Sequence, residues 1–299
     1  MVQYNNVGGT NKVFRQYDAE TLKRVQQTEK EILIKFISIC EKYNLQYFVV
    51  FGTLLGTIRH QGFIPWDDDI DVSMPRKDYE KFLKVAEKEC EGEYFIQTVD
   101  TDPAYHLFFA KMRRCNTKFV ENSLQKADSH TGIYIDIIPY DHIPDDEKLL
   151  AKQISKTEIL VRMLSVSKVK EPQIGDRGKV QNLLAKGIWY FLHYGMKILG
   201  ISGSFIWKKC EEIYCQYNDV PTERSTSFFA DAQKWIIYNE EMDKFLDMPF
   251  EDIKVKVPVG YDKILRRCYG EYMELPPVEK RVNHMPVVLQ FPGEEEIRW

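Results

Sequence analysis

The chain has 299 residues and a net charge of −4, with no block of lysine and arginine. It is long enough for one large domain or two intimate ones, and its charge gives no support to nucleic-acid binding. Cys40, Cys90, Cys115, Cys210, Cys215 and Cys268 are dispersed with no CxxC pair, which argues against a zinc site and a disulfide-stapled secreted fold, and the polar first eighteen residues lack a signal-peptide core; the expectation is a cytoplasmic protein with reduced thiols.

Asp18 caps a predicted helix over 18–43, where Leu22, Val25, Ile32, Phe36, Cys40 and Tyr43 form one stripe. Residues 45–51 (LQYFVVF) read as a buried strand. Gly52 and Thr53 then turn into a short helix, TLLGTIRH, whose free backbone N–H groups suit an anion, and Gly52 permits close approach. After a loop over 61–66 comes WDDDIDVSM. If it is a strand, Asp69 and Asp71 share a face while Ile70 and Val72 pack inward. Paired carboxylates on a rigid element raise each other's pKa unless a cation joins them, and hard oxygen ligands suit Mg²⁺ or Mn²⁺. Asp67 has the same parity and is a weaker candidate; Asp68 should face the other way. A solvated acidic loop does not need the surrounding Ile64, Trp66 and Ile70. An EF-hand loop lacks its sixth-position glycine, which is Val72 here, and a helix cap at Asp71 is followed by alternation and Pro75.

A helix over 76–89 should follow, then strands over 94–99, 105–115 and 118–121 as an antiparallel extension. Residues 132–139 (GIYIDIIP) read as another buried strand with one charge, Asp136. A buried carboxylate needs a cation partner or a metal site, and the residues alone leave both open. Residues 145–218 read as helical with a polar break over 170–178. Within them, 187–201 carries IWYFL, too short to span a bilayer; it is either a buried helix or a face that leans on a membrane or a lipid-linked substrate. Short strands over 228–231 and 253–257 and a helix over 261–269 complete the chain. The expected division is an arm over 1–17, a catalytic core over 18–144, a helical insertion over 145–220, and a C-terminal α/β portion over 221–299 belonging to the same domain.

With these residues in view, the chain resembles the LicD family of phosphotransferases, which includes bacterial phosphocholine transferases and is related to fukutin and fukutin-related protein. The resemblance is carried by GTLLGTIRHQGFIPWDDDIDV, HLFFAKMRR, IDIIPYD and YGEYMELPPVEKRVNH, in that order. It implies an α+β, nucleotidyltransferase-like fold of the polymerase-β type: a mixed sheet core with a helical insertion and a C-terminal extension. Gly52 and Thr53 would then meet phosphate, and Asp69, Asp71 and Asp136 would hold metal, Asp136 as third ligand or as base. Sixteen positions separate Thr53 from Asp69, longer than in the broader superfamily but in keeping with LicD-type sequences. The donor implied is a CDP-linked alcohol, CDP-choline first. The acceptor implied is a hydroxyl of a cell-surface or lipid-linked glycan such as lipopolysaccharide or teichoic acid, with CMP leaving.

Phosphoryl transfer needs charge neutralisation and positioning more than covalent help. Lys111 and Arg113 share strand parity and could present two cations to a diphosphate, or be ordinary strand charges. Arg59 and His60 follow the short helix and either could reach phosphate. Arg281 and His284 fall in the tail that resembles the family. Trp66, Tyr134 and Tyr140 either stack on a base or sugar or simply pack. A nucleotidyltransferase releasing pyrophosphate and a non-catalytic nucleotide- or glycan-binding relative are the competing readings, and a peripheral contact at the inner membrane face is compatible with all of them.

Overall fold

Helix α1 (Ala19–Tyr43) forms where a cap and an apolar stripe coincide: Asp18 accepts from the Thr21 N–H at 2.9 Å, and Val25, Ile32, Leu33, Phe36 and Ile39 are buried. The computed structural model describes residues 17–105, 107–121, 129–168, 178–229 and 231–299. Residues 1–16 of the arm expected over 1–17, His106, and residues 170–177 of the polar break expected over 170–178 lie outside the described residues.

The remaining elements in order are β1 (Phe48–Val49), α2 (Phe51–His60), β2 (Asp71–Pro75), α3 (Arg76–Glu89), β3 (Tyr94–Gln97), β4 (Ala110–Arg114), β5 (Lys118–Val120) and β6 (Tyr134–Ile143). Three helices follow, α4 (Glu147–Lys168), α5 (Lys179–Ile198) and α6 (Gly203–Tyr214). Then come β7 (Arg224–Thr226), β8 (Ile237–Tyr238), β9 (Phe245–Phe250), β10 (Ile253–Pro258), α7 (Tyr261–Tyr269), β11 (Val288–Gln290) and β12 (Ile297–Arg298). The result is a mixed α/β protein. Its main sheet runs β1-β2-β6-β4-β3, with β7 and β8 continuing from the far end of β6. β2 and β6 are parallel, and every other pairing in this sheet is antiparallel.

Register decides which side chains share a face. Asp71 pairs with Asp136, and Asp136 with Lys111, across three neighbouring strands. Because neighbours in register point the same way, Asp71, Asp136 and Lys111 lie on one face. α1 and α3 pack on the other, where Phe36 meets Phe82 at 5.1 Å. Two buried arginines hold the frame together. Arg76, at the start of α3, grips Asp141 of β6 with two bonds of 2.7 and 2.6 Å, and Asn218 donates to the same carboxylate. Arg224 of β7 bonds the Pro144 carbonyl and Glu147, tying the return of the chain from α6 to the exit of β6.

Several boundaries differ from expectation, each for a local reason. The first strand is only Phe48–Val49, because Phe51 adopts φ +50 and opens α2. The acidic strand begins at Asp71; residues 67–70 precede it without strand pairing. The strand expected over 105–115 shortens to Ala110–Arg114, since Asp102 organises the preceding chain into turns by accepting from Gln97 and the Ala104 N–H. β5 does not extend the main sheet but joins β11 and β12 in a separate three-stranded one. The strand expected over 228–231 lies earlier, at Arg224–Thr226, where the Thr226 hydroxyl closes a loop onto the Ala232 carbonyl at 2.7 Å. All six cysteines are free.

Candidate functional site

The turn between β1 and α2 is held from three sides. Phe51 sits in the left-handed region with its ring fixed edge-on against Trp235 at 4.4 Å. That conformation at a bulky residue costs roughly 1–3 kcal/mol and persists only where packing overdetermines it. A Cβ on Gly52 would stand 2.8 Å from Asp67 Oδ2, so glycine here admits the Asp67 carboxylate to the first turn of α2. Thr53 is buried, and its hydroxyl accepts from the Asp71 N–H at 2.8 Å, fastening the turn to the acidic strand. Sequence spacing pointed to an anion beside this helix end; in the folded chain the Asp67 carboxyl already lies there.

Four carboxyls converge next to the turn. Burial raises the pKa of Asp71, and Asp69 and Asp136 raise it further. Burial also raises Asp136; Lys111 works against that shift, while Asp69 adds to it. For Asp67 the causes are burial and then Asp69, with His284 opposing. Asp69 is the less enclosed member, with 23% of its side chain exposed. Behind them is Glu29 of α1, fully buried, its Oε2 without a hydrogen-bond partner, its pKa raised by burial and then by Asp68, Asp69 and Asp67. Such a donor set is short of positive charge, which is what a divalent cation supplies. A hard metal ion would suit Asp69, Asp71 and Asp136 by their chemistry, whereas the group whose ligand atoms lie within 4.8 Å of one another among the described residues is Asp67, Asp68 and His284.

Cations approach from two directions. Lys111 is buried, donates to Asp136 Oδ1 at 2.7 Å and sits 3.4 Å from the centre of the Tyr134 ring. Arg113, fully buried, faces the same ring at 4.6 Å and donates to Gln97 and to the Gly132 carbonyl at 2.5 and 2.6 Å. The two do share a face, but in this structure Arg113 serves the sheet and the 97–132 crossover. Arg59 reaches the C-terminal segment, donating to the Tyr272 carbonyl at 2.8 Å, and its Nε meets His60 at 2.9 Å.

The second direction is the C-terminal strap. The His284 N–H donates to Asp68 Oδ1 at 2.7 Å; its ring Nδ1 is 3.2 Å from the same oxygen and 3.6 Å from Asp69 Oδ2. Burial alone would disfavour an imidazolium, but the Asp68 hydrogen bond and the charges of Asp69, Asp68 and Asp67 outweigh it, and the pKa is pushed up to about 10. His284 is thus a cation at neutral pH. Asp67, Asp68 and His284 also bring one ligand atom each within 4.8 Å of one another; for a metal to bind there, the imidazolium would first have to lose its proton. Arg281 lies over Trp66 at 4.8 Å and donates to the Pro276 carbonyl. Tyr140 is core, packed on Phe48 at 5.4 Å with its hydroxyl on the Trp235 carbonyl.

Two members of this constellation escaped the sequence reading. Asp68, expected to face away from Asp69, instead shares the His284 ring nitrogen with it, at 3.2 and 3.6 Å, a partner 216 positions away that no local pattern signals. Glu29 could have been found: it stands four residues after Val25 and three before Ile32, inside the apolar stripe of α1.

Residues 44–159 match the family model described as LicD/FKTN/FKRP, nucleotidyltransferase domain, a span that contains the turn, Asp69, Asp71, Lys111, Arg113 and Asp136. Over 267 residues the chain is 30% identical to the lipopolysaccharide cholinephosphotransferase LicD of Haemophilus influenzae, covering 88% of this chain and 96% of that protein. Shorter matches reach uncharacterized proteins of Rickettsia prowazekii, 29% identical over 35% of each chain, and of Rickettsia typhi, 36% identical over 21% of this chain and 23% of that one. With similarity to the Haemophilus protein running nearly end to end, the chain belongs to the LicD family.

Proposed function

We propose that this protein transfers phosphocholine from CDP-choline to a hydroxyl of a cell-surface or lipid-linked glycan, releasing CMP. The observation that carries the reading is the register of Asp71 with Asp136 on adjacent parallel strands, with Asp69 beside them: buried like charges that a divalent cation would neutralise. The cholinephosphotransferase name of the Haemophilus relative supports choline as the cargo and lipopolysaccharide as an acceptor. On this reading residues 18–144 are a polymerase-β type nucleotidyltransferase core, residues 145–220 are a helical insertion, and 221–299 complete the same domain and add β7 and β8 to the main sheet.

Asp69, Asp71 and Asp136 would hold Mg²⁺ or Mn²⁺. When bound, the ion supplies charge neutralisation for the diphosphate and for the leaving CMP. The chain's own groups do the rest. The acceptor oxygen attacks the phosphorus that bears choline, and the bond from that phosphorus to the bridging oxygen of CMP breaks. Lys111 holds Asp136 in place through its bond to Oδ1 and works against the rise that burial gives its pKa, which suits Asp136 to ligation better than to proton transfer. Asp69, the more exposed carboxylate, is the one with room to meet the acceptor hydroxyl. Gly52 and Thr53 set the first turn of α2 against the phosphates, and His284 adds positive charge from the strap. Arg59 ties down the chain entering that strap at the Tyr272 carbonyl, and Arg281, within it, bonds the Pro276 carbonyl.

The test is incubation with CDP-choline, CDP-ethanolamine, CDP-glycerol or CDP-ribitol, Mg²⁺ and glycan acceptors, with product analysis. Acceptor-dependent CMP release with choline preferred is the expected result. No release from folded protein with any donor would refute the transferase reading, and pyrophosphate release from nucleoside triphosphates would replace it with nucleotidyl transfer.

A further inference from the structure

Helix α5 packs on the rest of the protein along one line only. Trp189, His193 and Met196 face α4 and α6, with the His193 ring nitrogen Nδ1 2.8 Å from the Val166 carbonyl. The opposite side is apolar and open. Leu184, Ile188, Phe191, Tyr194 and Ile198 are all exposed, Phe191 to 78% and Ile198 to 85%, and Leu199 and Phe205 carry the surface on past the helix end. A soluble surface rarely leaves so many large apolar side chains side by side.

Charge is distributed just as unevenly. The helix contains no aspartate or glutamate. At about 100° per residue, Lys186 and Lys197 fall together on one flank, roughly 120–140° around the helix from Phe191. Neither lysine makes an ion pair among the described residues. An apolar face edged by lysines and aromatic rings, with no acid, is the pattern that lies in a bilayer interface. Among the described residues no helix is long and apolar enough to cross a membrane, so the geometry is one of lying on the surface.

We propose that α5 is a membrane-docking helix that sets its Leu184–Ile198 face into the surface of an anionic phospholipid bilayer, with Lys186 and Lys197 at the level of the phosphates. Two other occupants fit less well. A second copy would bring two acid-free, lysine-edged helices together, with no opposite charge to meet either. The segments over 1–16 and 169–177 carry isolated apolar residues among polar ones and no run long enough to cover this face. The inference does not rest on the transferase reading, because vesicle binding is measured without substrate.

The experiment is flotation of the whole protein with vesicles of phosphatidylcholine alone and of phosphatidylcholine mixed with phosphatidylglycerol. Binding to the mixed vesicles, weakened by added salt and low on neutral ones, is expected. The triple variant Leu184→Ser/Phe191→Ser/Ile198→Ser should bind about ten-fold more weakly or worse while keeping the same melting temperature, since these side chains are exposed. Lys186→Glu/Lys197→Glu should remove the preference for anionic vesicles. Failure to bind anionic vesicles, unchanged binding by the triple variant, or a concentration-dependent dimer that the triple variant abolishes would overturn the proposal.

Discussion

Lys111 and Asp136 allow the electrostatics of the site to be measured without any substrate. Their side chains are 4% and 10% exposed and 2.7 Å apart, and the ammonium also rests 3.4 Å from the centre of the Tyr134 ring. Lys111→Met leaves Asp136 buried with the carboxyls of Asp69, Asp71 and Glu121 acting on it. Breaking a buried pair from one side costs about 3–5 kcal/mol, and the cation–π contact adds about 0.5–2 kcal/mol to what is lost. Asp136→Asn should be milder. It strands Lys111 against an aromatic face that still attracts it, and it removes a charge that raises the pKa of Asp71. The double variant should recover much of the loss, with a coupling of about 1–3 kcal/mol. Urea unfolding of the four proteins at pH 7 in EDTA measures this directly; with roughly 2–4 °C per kcal/mol for chains somewhat shorter than this one, Lys111→Met should melt at least about 6 °C lower. Additivity within about 0.5 kcal/mol, or Asp136→Asn proving the more damaging single change, would refute the account of a desolvated pair inside a negatively charged site.

Further predictions bear on the same groups. Asp69→Asn and Asp71→Asn should lower kcat at least about a thousand-fold while leaving the fold intact, and wild-type turnover in both would refute their role. Asp71→Asn should raise the melting temperature in EDTA yet shrink the rise produced by Mg²⁺, because the carboxylate removed is repelled by its neighbours until a cation arrives. The pKa of His284 is raised by the fold, so its stabilisation is complete below its ordinary value of 6.5 and is lost as pH climbs through about 10; His284→Gln should flatten the alkaline decline in stability across that window. Arg113→Met should destabilise by about 3 kcal/mol, since two charge-assisted bonds vanish from a fully buried site, with KM for the donor unchanged; a raised KM with stability intact would instead mark Arg113 as a phosphate contact.

Much of the frame was legible because it is written locally. The α1 run is set by the Asp18 cap and its apolar stripe, and the α3 run from Arg76 to Glu89 and the α7 run from Tyr261 to Tyr269 by periodicity, which need no knowledge of the rest of the chain. The isolated charge in the apolar run around Asp136 likewise signalled that something must balance it, and the balance in the free protein is Lys111. What escaped is what depends on distant packing. Strand parity assumes regular pairing, but the pairing starts at Asp71, so Asp67 is placed by the space at Gly52 and by Gln26 on its carbonyl, and Asp68 and Asp69 by His284, rather than by alternation. The parity of Lys111 and Arg113 was sound, yet parity says nothing of depth, and depth is what turned Arg113 toward Gln97 and Gly132.

The clasp between Asp68 and His284 means that the acidic turn is completed by a histidine made 216 residues later. During synthesis the aspartates emerge long before that imidazole does, and until it arrives the strap offers their carboxyls no positive charge. Divalent ions from the surrounding medium are the natural counter-charge in that interval. A chain ending between β8 and residue 284 would retain every strand of the main sheet but lose the lock on its acidic turn.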